Sequence, residues 1–172
     1  MASDLVILVG PPGAGKTSVG RLLAAGLGVP FTDTDDLVAE AAGKPIGDVF
    51  VEDGEEAFRA LERAAVTRGL AAADAAGHGV LAVGSGAVLD PDVRGLLAGR
   101  RVVYLETGFA AVARRTGMDK PRVVIPGNPR GRLRAMLEER RPVYEGVASV
   151  TVPTDEMAPQ EVAADLAMRL SA

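Results

Sequence analysis

Short apolar runs alternate along the chain with longer stretches whose apolar positions recur every three or four residues. Residues 5–9, Leu-Val-Ile-Leu-Val, are continuously apolar, the pattern of a strand buried on both faces. They stop at Gly10-Pro11-Pro12-Gly13. The spacing then predicts a helix over about 15–27, ended by Gly28. Residues 29–33 read as a shorter second strand, and helical segments follow at about 34–42, 46–52 and 54–76. A third strand at 79–83 runs into Gly84-Ser85-Gly86. Residues 91–97 predict a short helix with proline in its first turn, 101–105 a fourth strand and about 108–116 a further helix. A helix over about 131–144, a fifth strand at 147–152 and a closing helix at 159–170 complete the pattern. Strand and helix in alternation predict a parallel sheet with helices on both faces, in a single domain over residues 1–172. Residues 117–130 break the pattern with polar and turn residues around Val123-Val124-Ile125, and read as a mobile surface excursion.

Composition narrows the chemistry. The absence of cysteine removes disulfide scaffolds, thiolate metal sites and cysteine nucleophiles together. The one histidine, His78, excludes multi-histidine metal sites; set between two glycines, it reads as a loop residue without a catalytic role. A net charge of −4 argues against nonspecific binding to nucleic acid or an anionic membrane. Six aromatic residues supply no stacking platform for single strands. No apolar stretch reaches the length of a membrane span, and the first residues lack a signal peptide's basic start and apolar core, so a cytoplasmic protein is expected. Of the 19 basic residues only Lys16, Lys44 and Lys120 are lysines, so each arginine needs an argument from its position.

Gly10-Pro11-Pro12-Gly13-Ala14-Gly15-Lys16-Thr17 fits the pattern of a glycine, four residues, then Gly-Lys-Ser/Thr. Glycines let backbone N–H groups close on oxyanions, and the helix that begins there points its positive end at phosphates. Lys16 is placed to reach the outer phosphates and Thr17 to offer a hydroxyl to Mg²⁺. An apolar strand before the loop and an amphipathic helix after it supply the context this motif requires.

The second strand ends in Thr32-Asp33-Thr34-Asp35-Asp36, at the sheet edge where ligands bind in open α/β folds. If the chain is extended there, Asp33 and Asp35 face one site: one carboxylate to hold Mg²⁺ through water, the other to orient and deprotonate a hydroxyl. A helix N-cap is the competing role, strongest for Asp36 and Thr34. Glycines 84 and 86 suggest close approach of backbone to ligand, though tight turns use the same residues. Arg59 and Glu62 share a helix face, either as an exposed ion pair or as an arginine fork braced by its acid. Arginines 114, 115, 122, 130, 132, 134, 140 and 141 crowd one stretch, and one on a closing loop would answer the charge of a transferred phosphoryl group.

Taken in order, these stretches resemble the shikimate kinases, of the small-molecule kinase branch of P-loop proteins. The resemblance runs over nearly the whole chain: residues 10–17, Asp33-Thr34-Asp35, residues 58–62, Gly84-Ser85-Gly86, residues 102–106, Arg115-Thr116-Gly117 with Arg122, and residues 140–144. It implies a three-layer P-loop kinase fold with five parallel strands in the order 2-3-1-4-5, acceptor-binding helices at about 34–76 and a mobile lid at about 117–130. It implies transfer of the γ-phosphoryl group of MgATP to the 3-hydroxyl of shikimate, in aromatic amino-acid biosynthesis, by a monomer. Residue by residue, Gly13, Ala14, Gly15, Lys16, Thr17 and Ser18 would hold the nucleotide, with Lys16 also stabilising the group in transfer. Thr17 and Asp33 would hold Mg²⁺. Asp35 would bind the acceptor's hydroxyls and act as base, while Arg59 and Arg140 clamp its carboxylate and Gly84, Ser85 and Gly86 line the pocket. Arg122 would reach the phosphates from the lid, and Arg115 and Pro159 would flank adenine.

Three positions depart from the family pattern. Ser85 stands where the family runs a third glycine, so it is expected either to adopt a glycine-like backbone or to shift the turn. Val123, not proline, follows Arg122, and Met157-Ala158-Pro159 lacks the usual basic residue. Two other readings keep the loop. One is a related kinase acting on gluconate, an aminated shikimate analogue or a nucleoside monophosphate; the other is a nucleotide-binding protein without catalysis.

Overall fold

The computed structural model describes residues 4–118 and 127–171. Five strands form the sheet: β1 (Asp4–Val9), β2 (Phe31–Asp33), β3 (His78–Ala82), β4 (Val102–Glu106) and β5 (Val150–Pro153). Between them run α1 (Lys16–Leu27), α2 (Thr34–Ala42), α3 (Ile46–Asp53), α4 (Glu55–Ala76), α5 (Pro91–Leu97), α6 (Phe109–Arg115) and α7 (Pro129–Val147), and α8 (Pro159–Ser171) closes the chain. All pairings are parallel and the order is β2-β3-β1-β4-β5.

The apolar run of β1 explains the three layers. Leu5, Ile7 and Val9 point into one core with Val66 and Leu70 of α4, Leu97 of α5 and Tyr144 of α7. Val6 and Leu8 point into the other, with Val19 and Leu23 of α1 and Val162 and Leu166 of α8. Alternation along an extended chain gives both faces a hydrophobic contact, so only a central strand can be apolar at every position. β1 pairs with β3 on one side and β4 on the other, which sets the loop after Val9 in the crevice at the carboxyl edge.

The structure differs from the expected elements in a few places. α7 runs on to Val147, through Pro142, where a strand was expected to begin at 147. Proline inside a helix removes one hydrogen bond and crowds the preceding turn. Here the stripe Leu133, Leu137 and Tyr144 is buried, and Tyr144 stacks on Tyr104 of β4 with ring centres 5.2 Å apart, so packing carries the helix through. His78 opens β3 opposite Asp4, so it is a strand residue; it is exposed, and it lies at the edge away from the crevice. A 3-10 turn at Ala87–Leu89 adds an element the pattern did not indicate. Most of the expected excursion at 117–130, Arg122 included, lies outside the described residues. No helix among the described residues is long and apolar enough to cross a membrane.

Candidate active site

The loop after β1 delivers the expected cradle. Gly13 and Gly15 have φ of +79° and +91°, a region that side chains resist. Gly15 caps α1 without a side-chain hydrogen bond, and no acid lies in the first turn, so the amides and dipole at this end face outward uncompensated. The Lys16 ammonium donates to the carbonyls of Gly10 at 2.8 Å and Pro11 at 3.1 Å. Desolvation pushes its pKa down to about 8, against the pull of Asp35 and Asp33.

Asp33 and Asp35 meet at the crevice by a different route from the one expected. The chain is not extended through both: Asp33 ends β2 and Asp35 lies in the first turn of α2. Asp33, not Asp36 or Thr34, is the N-cap, its Oδ1 accepting the Asp35 N–H at 2.9 Å. Its other oxygen accepts from the Thr17 hydroxyl at 2.7 Å, so capping and a site role coexist in one carboxylate. Asp35 sits at a solvent-accessible mouth, where desolvation first and Asp33 second push its pKa up to about 6, while Lys16 opposes them. Thr34 is buried and accepts from the Gly84 N–H at 2.9 Å, tying the acidic turn to the second glycine turn.

That second turn is tight for a spatial reason. Neither Gly84 nor Gly86 lies in the left-handed region, and no residue other than glycine has a positive φ among the described residues, so Ser85 takes an ordinary backbone and the expected strain is absent. A Cβ on Gly84 would stand 2.9 Å from Asp35 Oδ1 and from Glu62 Oε1, and one on Gly86 would stand 2.6 Å from Arg59 Nη1. The glycines thus make room for the site's own side chains.

Around them lies a cavity of about 280 Å³ whose lining includes Asp35, Phe50, Phe58, Arg59, Gly86 and Arg140. The Arg59–Glu62 pair is the braced fork rather than a surface pair. Arg59 Nη1 donates to Glu62 Oε2 at 2.7 Å, and the Glu62 side chain is 4% exposed. Burial pushes the Glu62 pKa up, against hydrogen bonding and attraction from Arg59. Glu62 is taken up by Arg59, and the two guanidiniums of Arg59 and Arg140 converge on the cavity beside Asp35, an arrangement that suits a ligand carrying both a carboxylate and hydroxyls. Tyr144 closes the wall from below, its buried hydroxyl donating to the Ser85 carbonyl at 2.7 Å. Glu62 as a buried brace was signalled by its spacing from Arg59. Phe58 and Tyr144 lay within the stretches that carry the resemblance but were given no role, and Phe50 carried no signal.

A second cavity, about 310 Å³, is lined by the loop from Pro12 to Ser18 together with Asp33, Asp35 and Ser85. A third, about 390 Å³, lies beyond the loop against Arg115, Thr154, Met157 and Pro159. Arg115 spans two elements, donating to the Thr154 carbonyl at 2.7 Å and the Gly13 carbonyl at 3.2 Å. Thr154 in turn is buried and shares a hydrogen bond with Thr107. The expected site residues are therefore gathered along one crevice, apart from Arg122, which lies outside the described residues.

The family model described as shikimate kinase matches residues 12–171. A shikimate kinase of Thermobifida fusca is 52% identical over 168 residues, covering 98% of this chain and 95% of that protein. One of Salinispora arenicola is 48% identical, covering 99% of each. Among solved structures, a shikimate kinase from Acinetobacter baumannii in complex with shikimate superposes with a TM-score of 0.83 at 34% identity, covering 98% of this chain and 93% of that one. A gluconokinase from Sinorhizobium meliloti, at 19% identity and a TM-score of 0.57, shares the fold alone.

Proposed function

The chain belongs to the shikimate kinase family and is an ATP-dependent kinase, and from that premise we propose that it transfers the γ-phosphoryl group of ATP to the 3-hydroxyl of shikimate. One observation carries the reading. The cavity that holds Arg59 and Arg140 meets the cavity that holds Lys16, and Asp35 lines both. A small acid gripped by the two guanidiniums presents a hydroxyl to Asp35, beside the phosphates on the loop. The Acinetobacter relative, solved with shikimate, supports that choice of acid.

Asp35 accepts the proton of the attacking hydroxyl, and its raised pKa matches a base that works near neutrality. Lys16 and the loop amides draw charge from the phosphoryl oxygens as they pass. Arg115 and Pro159 flank the base. Thr17 and Asp33 fit Mg²⁺: they are two hard oxygen donors, hydrogen-bonded to each other at 2.7 Å, beside the loop. Magnesium favours one or two protein oxygens completed by phosphate oxygens and water. Bound there with the nucleotide, it neutralises phosphate charge. One chain supplies both halves of the site, in keeping with a monomer. We take the protein as a single cytoplasmic kinase domain whose helices α2, α3 and α4 carry the acceptor side.

Release of ADP, coupled to a spectroscopic readout, tests the reading with shikimate, gluconate and a nucleoside monophosphate, each with Mg²⁺ and ATP. Turnover with shikimate alone is expected. No turnover by the folded protein, or a preference for another acceptor, overturns it.

A further inference from the structure

Two residues line both the acceptor cavity and the phosphate cavity: Asp35 and Ser85. Asp35 already has a role at that junction. Ser85 has been given only a pocket-lining one, and its surroundings leave its side chain free for more. Among the described residues its one hydrogen bond is to its carbonyl, from the Tyr144 hydroxyl at 2.7 Å, and no buried side-chain oxygen or nitrogen lacks a partner. The Ser85 hydroxyl, with no protein partner there, is therefore solvent-accessible, on a half-buried residue that lines both cavities. Its position is firmly set. Gly84 on one side is tied to Thr34, Gly86 on the other is pressed against Arg59, and Tyr144 holds the carbonyl from beneath. A rotatable donor is thus carried on a braced turn at the boundary that the transferred group must cross.

We propose that the Ser85 side-chain hydroxyl is a further catalytic group of this chain, donating a hydrogen bond to a non-bridging oxygen of the phosphoryl group in transit. The proposal rests on the kinase reading above. In the step, the acceptor oxygen forms a bond to the γ-phosphorus. The bond from that phosphorus to the β–γ bridging oxygen breaks, ADP leaves with the electron pair, and the acceptor's proton goes to Asp35. Ser85 keeps its own proton throughout. Its donated bond strengthens as charge spreads over the equatorial oxygens, so it acts on the transition state more than on either bound substrate. Glycine at this place supplies only a backbone amide, and the hydroxyl adds one donor to it.

Ser85→Ala and Ser85→Gly test this together, with steady-state kinetics for both substrates and thermal melting of each variant. Both variants are expected to lose about 3- to 10-fold in kcat, the worth of one neutral hydrogen bond, with each KM unchanged within about twofold. Their agreement matters, because alanine removes only the hydroxyl whereas glycine also loosens the backbone. Unchanged kcat in Ser85→Ala overturns the proposal alone, with the kinase reading intact. So does a loss seen only as a raised acceptor KM, which would place the hydroxyl on the bound acid. A loss confined to Ser85→Gly, with a lower Tm, overturns it in favour of a backbone effect. A wild-type chain without turnover on shikimate sinks the reading and this proposal together.

Discussion

On the proposed reading, the working groups at the nucleotide end of the crevice belong mostly to the backbone: the amides of residues 13–18 and the uncapped start of α1. At the acceptor end they are side chains, and charged ones: Asp35, Arg59, Glu62 and Arg140, each leaning on another. Backbone amides need only the right dihedrals, so apart from the glycines, Lys16, Thr17 and Asp33 that end should tolerate change. Side-chain charges in a half-buried pocket need partners, so the removal of one strands its neighbour. The acceptor end is therefore the more fragile half and the half that sets selectivity.

The largest expected break in that contrast is Asp35→Asn. It keeps the shape and removes the proposed base, so kcat should fall about 10²- to 10⁴-fold while calorimetry shows ADP bound as in the wild type. The same variant should melt at a higher temperature above pH 6. Asp35 binds its proton more tightly folded than unfolded, since its pKa is raised from 3.8 to about 6. Its contribution to stability thus falls as pH rises through that window, and an amide escapes the loss. Loss of ADP binding in this variant would move Asp35 to the nucleotide half.

Next comes Arg59→Ala, which removes one arm of the clamp and leaves the buried Glu62 carboxylate without its partner. The acceptor KM should rise about 10- to 100-fold, the scale of a hydrogen bond between charged groups, with the ATP KM little moved. The melting temperature should fall as well. An equal rise in both KM values would place Arg59 on neither half in particular.

The pH profile separates the halves without mutation. The acceptor kcat/KM should decline about tenfold per unit as pH drops below about 6, where Asp35 in the free enzyme takes up a proton. The ATP kcat/KM should decline as pH climbs above about 8, where Lys16 loses its charge. A single limb shared by both parameters would dissolve the comparison. The smallest effect is expected of Tyr144→Phe. Without its hydroxyl the Ser85 carbonyl loses a partner, and the acceptor KM should rise a few-fold with the ATP KM unchanged.

The nucleotide half was also the more legible in the sequence. Its information is local: a strand, a glycine-spaced loop, a lysine and a hydroxyl lie within a few residues of each other. The sheet was legible for the same reason, since continuous apolar runs mark strands covered on both faces. The acceptor half depends on pieces brought from α2, α3, α4, the turn after β3 and α7. Arg59 and Glu62 suggested two readings, and only burial decides between them. Asp33 was matched to a metal role on resemblance, but its capping role depends on where the first turn of α2 starts. Ser85 was expected either to take a glycine-like backbone or to shift the turn, because the resemblance puts a glycine there. The turn asks for space beside residues 84 and 86, and asks nothing unusual of the backbone between them. The end of α7 was placed at 144 instead of 147 because Gly146 reads as a stop and Val147 as the first residue of the apolar run that follows.

Gly86 and Arg59 are also coupled to each other. With Arg59 Nη1 only 2.6 Å from where a methyl group would sit, alanine at 86 is excluded so long as the guanidinium stays put. The atom in the way is the far end of a flexible side chain, so a methyl group at 86 would be felt as a displaced guanidinium rather than as backbone strain, and a change at one of these two positions is read out at the other.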